Sequence, residues 1–276
     1  MKIISNSHTH TNLVDGRSEA SETALKAFEE GFVSLGFTEH AAQPLDVKYG
    51  LSAENEEKYI SQITALQSEY EGRMKIWLGT ERDRISTADR TKYEYILGAS
   101  HYLVSEDGDF AGIDGNADRL ENWVQKHEGG DWMRAVSRYY GEYADYVAEY
   151  RPDIIAHFDL IVLSNRERKW FDEDSGEYLS VAKAAMRKMR AACGVMEVNT
   201  GGIARKAQPV PYPAPKLLSY WHELGGRVIP ASDCHFSPQL TAWFEFVPSY
   251  LREAGYTEFL RLGTGNELFE TVKMNG

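Results

Sequence analysis

Short apolar runs recur along this chain, alternating with longer stretches whose apolar residues return at helical spacing. The first run, residues 2–7, centres on Ile3 and Ile4 and leads into His8-Thr9-His10. Residues 18–31 read as a helix. Ser18 caps it, Glu19 and Glu22 suit its first turn, Ala24, Leu25, Ala27 and Phe28 form its apolar face, and Gly31 stops it. A strand follows over 35–40 and ends at His40. Residues 53–70 carry Tyr59, Ile60, Ile63, Leu66 and Tyr70 at helical spacing, with Gly72 closing the helix. The strand 74–78 leads to Glu81, and the strand 95–100 delivers His101. Residues 105–118, acidic and glycine-containing, read as a long loop. Helices over 118–126 and 131–150, a strand over 153–156 before His157, a helix over 178–193 and a strand over 195–199 come next. A helix over 215–224 and a strand over 228–231, leading to Asp233-Cys234-His235, follow, and 242–247 reads as a last strand.

Strand-helix alternation of this kind predicts an α/β fold with a parallel sheet, here closed into a barrel. In such barrels functional groups collect at the C-terminal strand ends. Six of the eight histidines fall at those points, together with Asp15, Glu81 and Asp233. An imidazole gains nothing by ending strand after strand unless the ends converge, and converging histidines and carboxylates hold metal. Residues two apart in an extended segment point to the same side. His8 and His10 are therefore placed to grip one ion together, as are Asp233 and His235. A lone H-x-H says little, being also the pattern of a strand surface or a satisfied core pair. The mixed nitrogen and oxygen donors, without a thiolate set, suit Zn, Mn or Fe in a hydrolytic site. His127 and His222 sit in helical, polar surroundings and read as surface residues.

With 276 residues the chain can build a sizeable core, and no linker or repeat divides it, so a single domain over 1–276 is expected. Its apolar runs are far shorter than the ~20 residues that span a bilayer. The polar Ser5-Asn6-Ser7 is unlike a signal peptide, and two cysteines suggest no disulfide framework; a cytoplasmic setting is the expectation. A formal net charge of −12 argues against long nucleic acid as a partner. It leaves room for a small anionic substrate, because bound divalent ions supply local positive charge.

The segments His8-Thr9-His10, Asp15-Gly16, Thr38-Glu39-His40, Gly79-Thr80-Glu81 and Gly98-Ala99-Ser100-His101 have a recognisable order and spacing. Ala156-His157-Phe158-Asp159, Glu197-Val198-Asn199-Thr200 and Ser232-Asp233-Cys234-His235 continue it. In these residues the sequence resembles the PHP (polymerase and histidinol phosphatase) family, in its histidinol-phosphate phosphatase branch. The resemblance implies a distorted (β/α)7 TIM-like barrel with two or three divalent ions at the C-terminal strand ends. By the same resemblance His8, His10, Glu81 and Asp233 hold one ion. Glu81 bridges to a second held by His101 and His157, and Asp15, His40 and His235 hold a third. It also implies phosphate-contacting arginines, for which Arg166 and Arg205 are the candidates. Glu39 stands where family members often have Asp, without a metal role, and residues 108–138 match no motif.

A phosphate monoester resists hydrolysis because a weak nucleophile must approach a dianion and an alkoxide must leave. Clustered divalent ions address both problems. The expected reaction is release of phosphate from L-histidinol phosphate by a metal-activated hydroxide, a late step of histidine biosynthesis. Glu81, Asp233, His235, Arg205 and Arg166 are the candidate catalytic residues, with Arg205 touching substrate alone. Asp159 or Glu197 would bind the substrate ammonium or orient a ligand imidazole, the latter role falling to Asp159. Three alternatives compete: an amidohydrolase-type enzyme, a phosphoesterase for a nucleotide or nucleic-acid end, and a catalytically silent metal-binding module. Glu81 in place of the bridging lysine counts against the first, and the full ligand set against the last.

Overall fold

The computed structural model describes residues 1–205 and 207–274. The chain begins with β1 (Ser5–Asn6), α1 (Ala20–Glu29), β2 (Ser34–Phe37), α2 (Ala53–Glu69), β3 (Lys75–Asp83) and β4 (Tyr95–Ala99). A hairpin, β5 (Tyr102–Val104) and β6 (Phe110–Gly112), precedes α3 (Ala117–Glu128), α4 (Trp132–Tyr150), β7 (Ile154–Ile155), α5 (Val162–Arg168) and α6 (Gly176–Arg190). Then come β8 (Val195–Asn199), α7 (Gly201–Ala204), α8 (Pro215–Glu223) and β9 (Arg227–Ala231). Last are α9 (Val247–Glu253) and the hairpin β10 (Glu258–Leu262) with β11 (Phe269–Lys273).

Seven strands pair in parallel in the order β1-β2-β3-β4-β7-β8-β9. Beyond the strand ends Thr9 bridges Cys234, whose N–H donates to the His8 carbonyl at 3.2 Å and whose carbonyl accepts the His10 N–H at 2.9 Å. That contact brings the first strand against the last and nearly closes a barrel.

Side-chain alternation divides the core in two. Trp77, Leu97, Ile154, Val195 and Ile229 point inward, while Ile76, Leu78, Ile96, Ile155, Met196 and Val228 face the surrounding helices. Tyr95 fills the barrel centre, its hydroxyl donating to the Ser7 carbonyl at 2.7 Å. Glycine is required around it: a Cβ on Gly36 or Gly79 would lie 2.0 or 2.4 Å from the Tyr95 side chain. Leu260 and Leu262 of β10 pack into the same inner cluster from below. Ser34 Oγ donates to the Leu262 carbonyl at 2.6 Å and Trp77 Nε1 to that of Gly263 at 2.8 Å, so this hairpin plugs the N-terminal mouth. The C-terminal mouth is left for chemistry.

The sequence expectations need correction in several places. α1 starts at Ala20 with Glu19 as its cap, and the Glu22 carboxylate accepts the Glu19 N–H. Ser18 instead ties the chain to Ser237. Within the 105–118 loop, Phe110–Gly112 pairs with Tyr102–Val104. Residues 242–247 form no strand; they turn and enter α9, with Phe244 and Val247 buried three residues apart, as one helical face requires. β3 runs on to Asp83, because its second half, Gly79 to Asp83, pairs with β4 after its first half has paired with β2.

Candidate metal centre

The long β3 sets the centre of the site. Trp77, Gly79, Glu81 and Asp83 alternate onto its inner face, so Glu81 rises into the barrel mouth, and the parallel bridge between His40 and Glu81 sets the neighbouring strand end beside it. All nine expected ligand residues meet there in three groups: His8, His10 and Asp233; Glu81, His101 and His157; and His10, Asp15, His40 and His235. His10 belongs to two groups.

Glu81 divides its two oxygens between groups. Oε1 lies 2.8 Å from His157 Nε2 and 3.4 Å from His101 Nε2. Oε2 lies 3.4 Å from His8 Nε2, 3.6 Å from His10 Nε2 and 2.9 Å from His40 Nδ1. Asp233 Oδ1 adds a further oxygen 3.4 and 3.2 Å from His8 and His10. Asp233 holds φ at 50°, a left-handed conformation that Asp tolerates better than most residues and that turns its carboxylate into the cluster. Asp15 sits at the rim, its Oδ2 3.3 Å from His235 Nε2 and 3.6 Å from His40 Nε2.

Carboxylates behind the rings fix their tautomers. His8 Nδ1–H donates to Glu197 at 2.9 Å, His10 Nδ1–H to Glu39 at 3.2 Å and His101 Nδ1–H to Asp83 at 3.1 Å. Glu197 also accepts the His157 N–H at 2.6 Å and the Asn199 amide at 2.7 Å. With Nδ1 committed on both rings, neutral His8 and His10 turn their Nε2 lone pairs toward each other at 3.0 Å. That arrangement is repulsive unless a cation lies between them. Glu81 Oε2 and His157 Nδ1 are buried without a hydrogen-bond partner among the described residues. The donor set therefore fits divalent ions with nitrogen and oxygen ligands.

The same crowding makes the ion-free cluster a strong proton store. Burial pushes His8 down, but Glu197, Asp233 and Glu81 outweigh it and hold the ring well above its ordinary value. His40 behaves alike, burial being overcome by Glu81 and Asp15. Burial is likewise overcome at His101, where Glu81 and Asp83 raise the ring to about 9. Conversely, burial would raise Glu81, yet His40, His8 and His101 hold it well below the carboxylate range.

Arg205, just past α7, reaches this centre: Nη2 donates to Asp233 Oδ2 at 2.9 Å and Nη1 to the Asp233 carbonyl at 3.3 Å. It thus touches a candidate ligand residue, contrary to the expectation that it meets substrate alone. Arg166 is exposed and donates to the Ala207 carbonyl at 3.0 Å, in the loop that follows Arg205. Asp159 does not orient His157; one of its oxygens accepts the Ala214 N–H at 2.9 Å. The role of holding imidazoles falls to Glu197, Glu39 and Asp83. The sequence reading missed Asp83 and the part Glu39 plays behind His10; for Asp83 the signal was present, since it stands two positions past Glu81, on the same face of a strand.

Cys234 lies between two cluster residues, but its thiol donates to the Phe236 carbonyl, and burial pushes it up to about 12, which leaves no thiolate for attack. Trp170 stacks on Trp132 with centroids 3.8 Å apart, a packing role. His222 is exposed, whereas His127 is half-buried against Asp109 at 2.8 Å.

The family model described as "PHP domain" matches residues 6–201. A Schizosaccharomyces pombe protein named "Probable histidinol-phosphatase" is 25% identical over 304 residues, spanning 100% of this chain and 94% of its own. A Deinococcus radiodurans protein of the same name is 26% identical over 260 residues, covering 90% and 93%. Among solved structures, a histidinol phosphate phosphatase of Lactococcus lactis subsp. lactis Il1403, complexed with zinc, L-histidinol and phosphate, has a similar fold. It superposes with a TM-score of 0.65 at 18% identity, covering 94% of this chain and 97% of that one.

Proposed function

Because this chain belongs to the PHP domain family, we propose that it hydrolyses L-histidinol phosphate to L-histidinol and phosphate, as a metal-dependent phosphomonoesterase of histidine biosynthesis. The names of both curated relatives support a phosphoric monoester hydrolase and this substrate. The observation that carries the reaction class is Glu81, whose two oxygens face two separate sets of inward-turned imidazoles. His8, His10, Glu81 and Asp233 would hold a first ion. Glu81, His101 and His157 would hold a second, and Asp15, His40 and His235, with His10 in reach, would hold a third. Zn, Mn or Fe bound there supplies an acidified water and a clamp on the phosphoryl oxygens.

The protein's own groups do the rest. Glu197, Glu39 and Asp83 keep each ring nitrogen turned inward. Arg205, steadied by Asp233, offers its guanidinium to the phosphoryl group, with Arg166 as a second candidate. We assign residues 1–276 to one domain, since Asp233 and His235 follow β9 and the C-terminal hairpin plugs the same barrel. Among the described residues no helix is long and apolar enough to cross a membrane, and a cytoplasmic setting belongs to this proposal.

The test compares turnover of L-histidinol phosphate, AMP and p-nitrophenyl phosphate, each with and without chelator. Chelator-sensitive turnover that favours histidinol phosphate supports the proposal. A strong preference for AMP would overturn the substrate.

A further inference from the structure

Three polar atoms on segments that flank the ligand residues are buried without a well-formed hydrogen bond among the described residues: Asp159 Oδ1, the Tyr212 hydroxyl and Gln208 Nε2, the last two lying close to each other. Asp159 is 1% exposed, and its other oxygen is already engaged by the Ala214 N–H. Leaving a buried carboxylate oxygen bare costs more than an ordinary hydrogen bond returns, so a partner from outside the chain accounts for it best. Two short segments that leave the site carry these atoms. Asp159 follows His157 by two residues, and Gln208 and Tyr212 lie in the loop after Arg205.

The glycine pair at the start of α7 links that loop to the ligand cluster. A Cβ on Gly201 would lie 2.9 Å from Asp233 Cβ, and one on Gly202 would lie 2.9 Å from the Tyr212 ring and 3.1 Å from Gln208. Tyr212 also bridges Asn199, whose amide holds Glu197. The wall formed in this way offers one acceptor, one amide donor and one hydroxyl that can act as either.

We propose that Asp159, Tyr212 and Gln208 form the subsite for the leaving alcohol and select one that carries a nitrogen heterocycle. An imidazole has one ring N–H and one bare ring nitrogen. The N–H donates to Asp159 Oδ1, and the bare nitrogen accepts from Tyr212 or Gln208. The inference rests on the phosphatase reading above and names the residues that choose its substrate.

The test measures kcat/KM for L-histidinol phosphate and for p-nitrophenyl phosphate on metal-loaded wild type, Asp159→Asn and Tyr212→Phe, with bound metal counted and melting recorded. The ratio of the two specificity constants is expected to fall about ten-fold or more in each variant. A ratio that stays at the wild-type value in both variants, or equal losses on both substrates, overturns the subsite. Tyr212→Phe removes a hydroxyl that has only the Gln208 side chain close to it and no well-formed hydrogen bond, so it reads out recognition even if Asp159→Asn fails to fold. Wild type without preference for histidinol phosphate would remove the substrate reading, and this inference with it; a preference that both variants keep removes the subsite alone.

Discussion

Among the described residues Glu81 is the one side chain whose two oxygens face different imidazole groups, and its replacement is the sharpest single-residue probe. Glu81→Gln should remove most activity and loosen more than one ion; near-normal turnover with full metal content would contradict the bridging role. Arg205→Ala should weaken phosphate-ester binding by about 1.5–3 kcal/mol, seen as a raised KM, if it supplies a charge-assisted hydrogen bond. Wild-type kinetics in that variant would exclude the contact. The ion-free protein should also respond to pH through His101. Its raised value means that the protonated ring stabilises the fold fully below 6.5, and that this stability is lost as pH rises through about 9. Melting of chelated protein across that window should fall with pH more steeply than in His101→Asn; identical slopes would contradict the assignment. At this scale sequence was informative where chemistry and spacing coincided, as in His8 with His10. It was weaker for the residues behind the ligands, because Glu39, Asp83 and Glu197 act through a partner that only the folded barrel brings close.

The C-terminal hairpin is the element that the sequence concealed. β10 contributes only Phe259, Leu260 and Leu262 as apolar residues, and β11 has no fully buried residue, so neither has the pattern of a buried strand. Yet Leu262 is fully buried in the inner cluster, and Leu262→Ala should cost about 2–5 kcal/mol of stability, measurable by denaturant unfolding. A loss below about 1 kcal/mol would mean that the plug contributes little. Within the hairpin, Glu270 accepts from the Thr264 hydroxyl and N–H and from Arg261, and these hold its carboxyl down at about 2. This contribution is present above the ordinary value of 4.5 and is lost as pH falls toward about 2. Glu270→Gln should therefore lower stability at neutral pH, by an amount reduced by solvent screening, and the gap from wild type should close in acid. A gap that persists at pH 2 would contradict it. The main α/β alternation was legible because each long helix carries a clear apolar face. The 242–247 run misled because five of its six residues are apolar, with Glu245 the exception, and only packing decides between a strand and a turn of helix.

Over the whole molecule, a chain of net charge −12 concentrates six histidines at one barrel mouth and plugs the other with leucine side chains. The acids that dominate the composition are partly spent there: Asp15, Glu81 and Asp233 among the candidate ligands, Glu39, Asp83 and Glu197 behind them. Barrel closure through Thr9 and Cys234 makes the arrangement possible, since it sets the first and last ligand segments side by side. The most direct test of the account is a titration of metal-stripped protein with Zn, Mn or Fe, counting bound ions while following phosphate release from L-histidinol phosphate. The account predicts no turnover in the stripped protein and recovery that saturates at two or three ions per chain. Full turnover by stripped protein, or binding of less than one ion per chain after reconstitution, would contradict it.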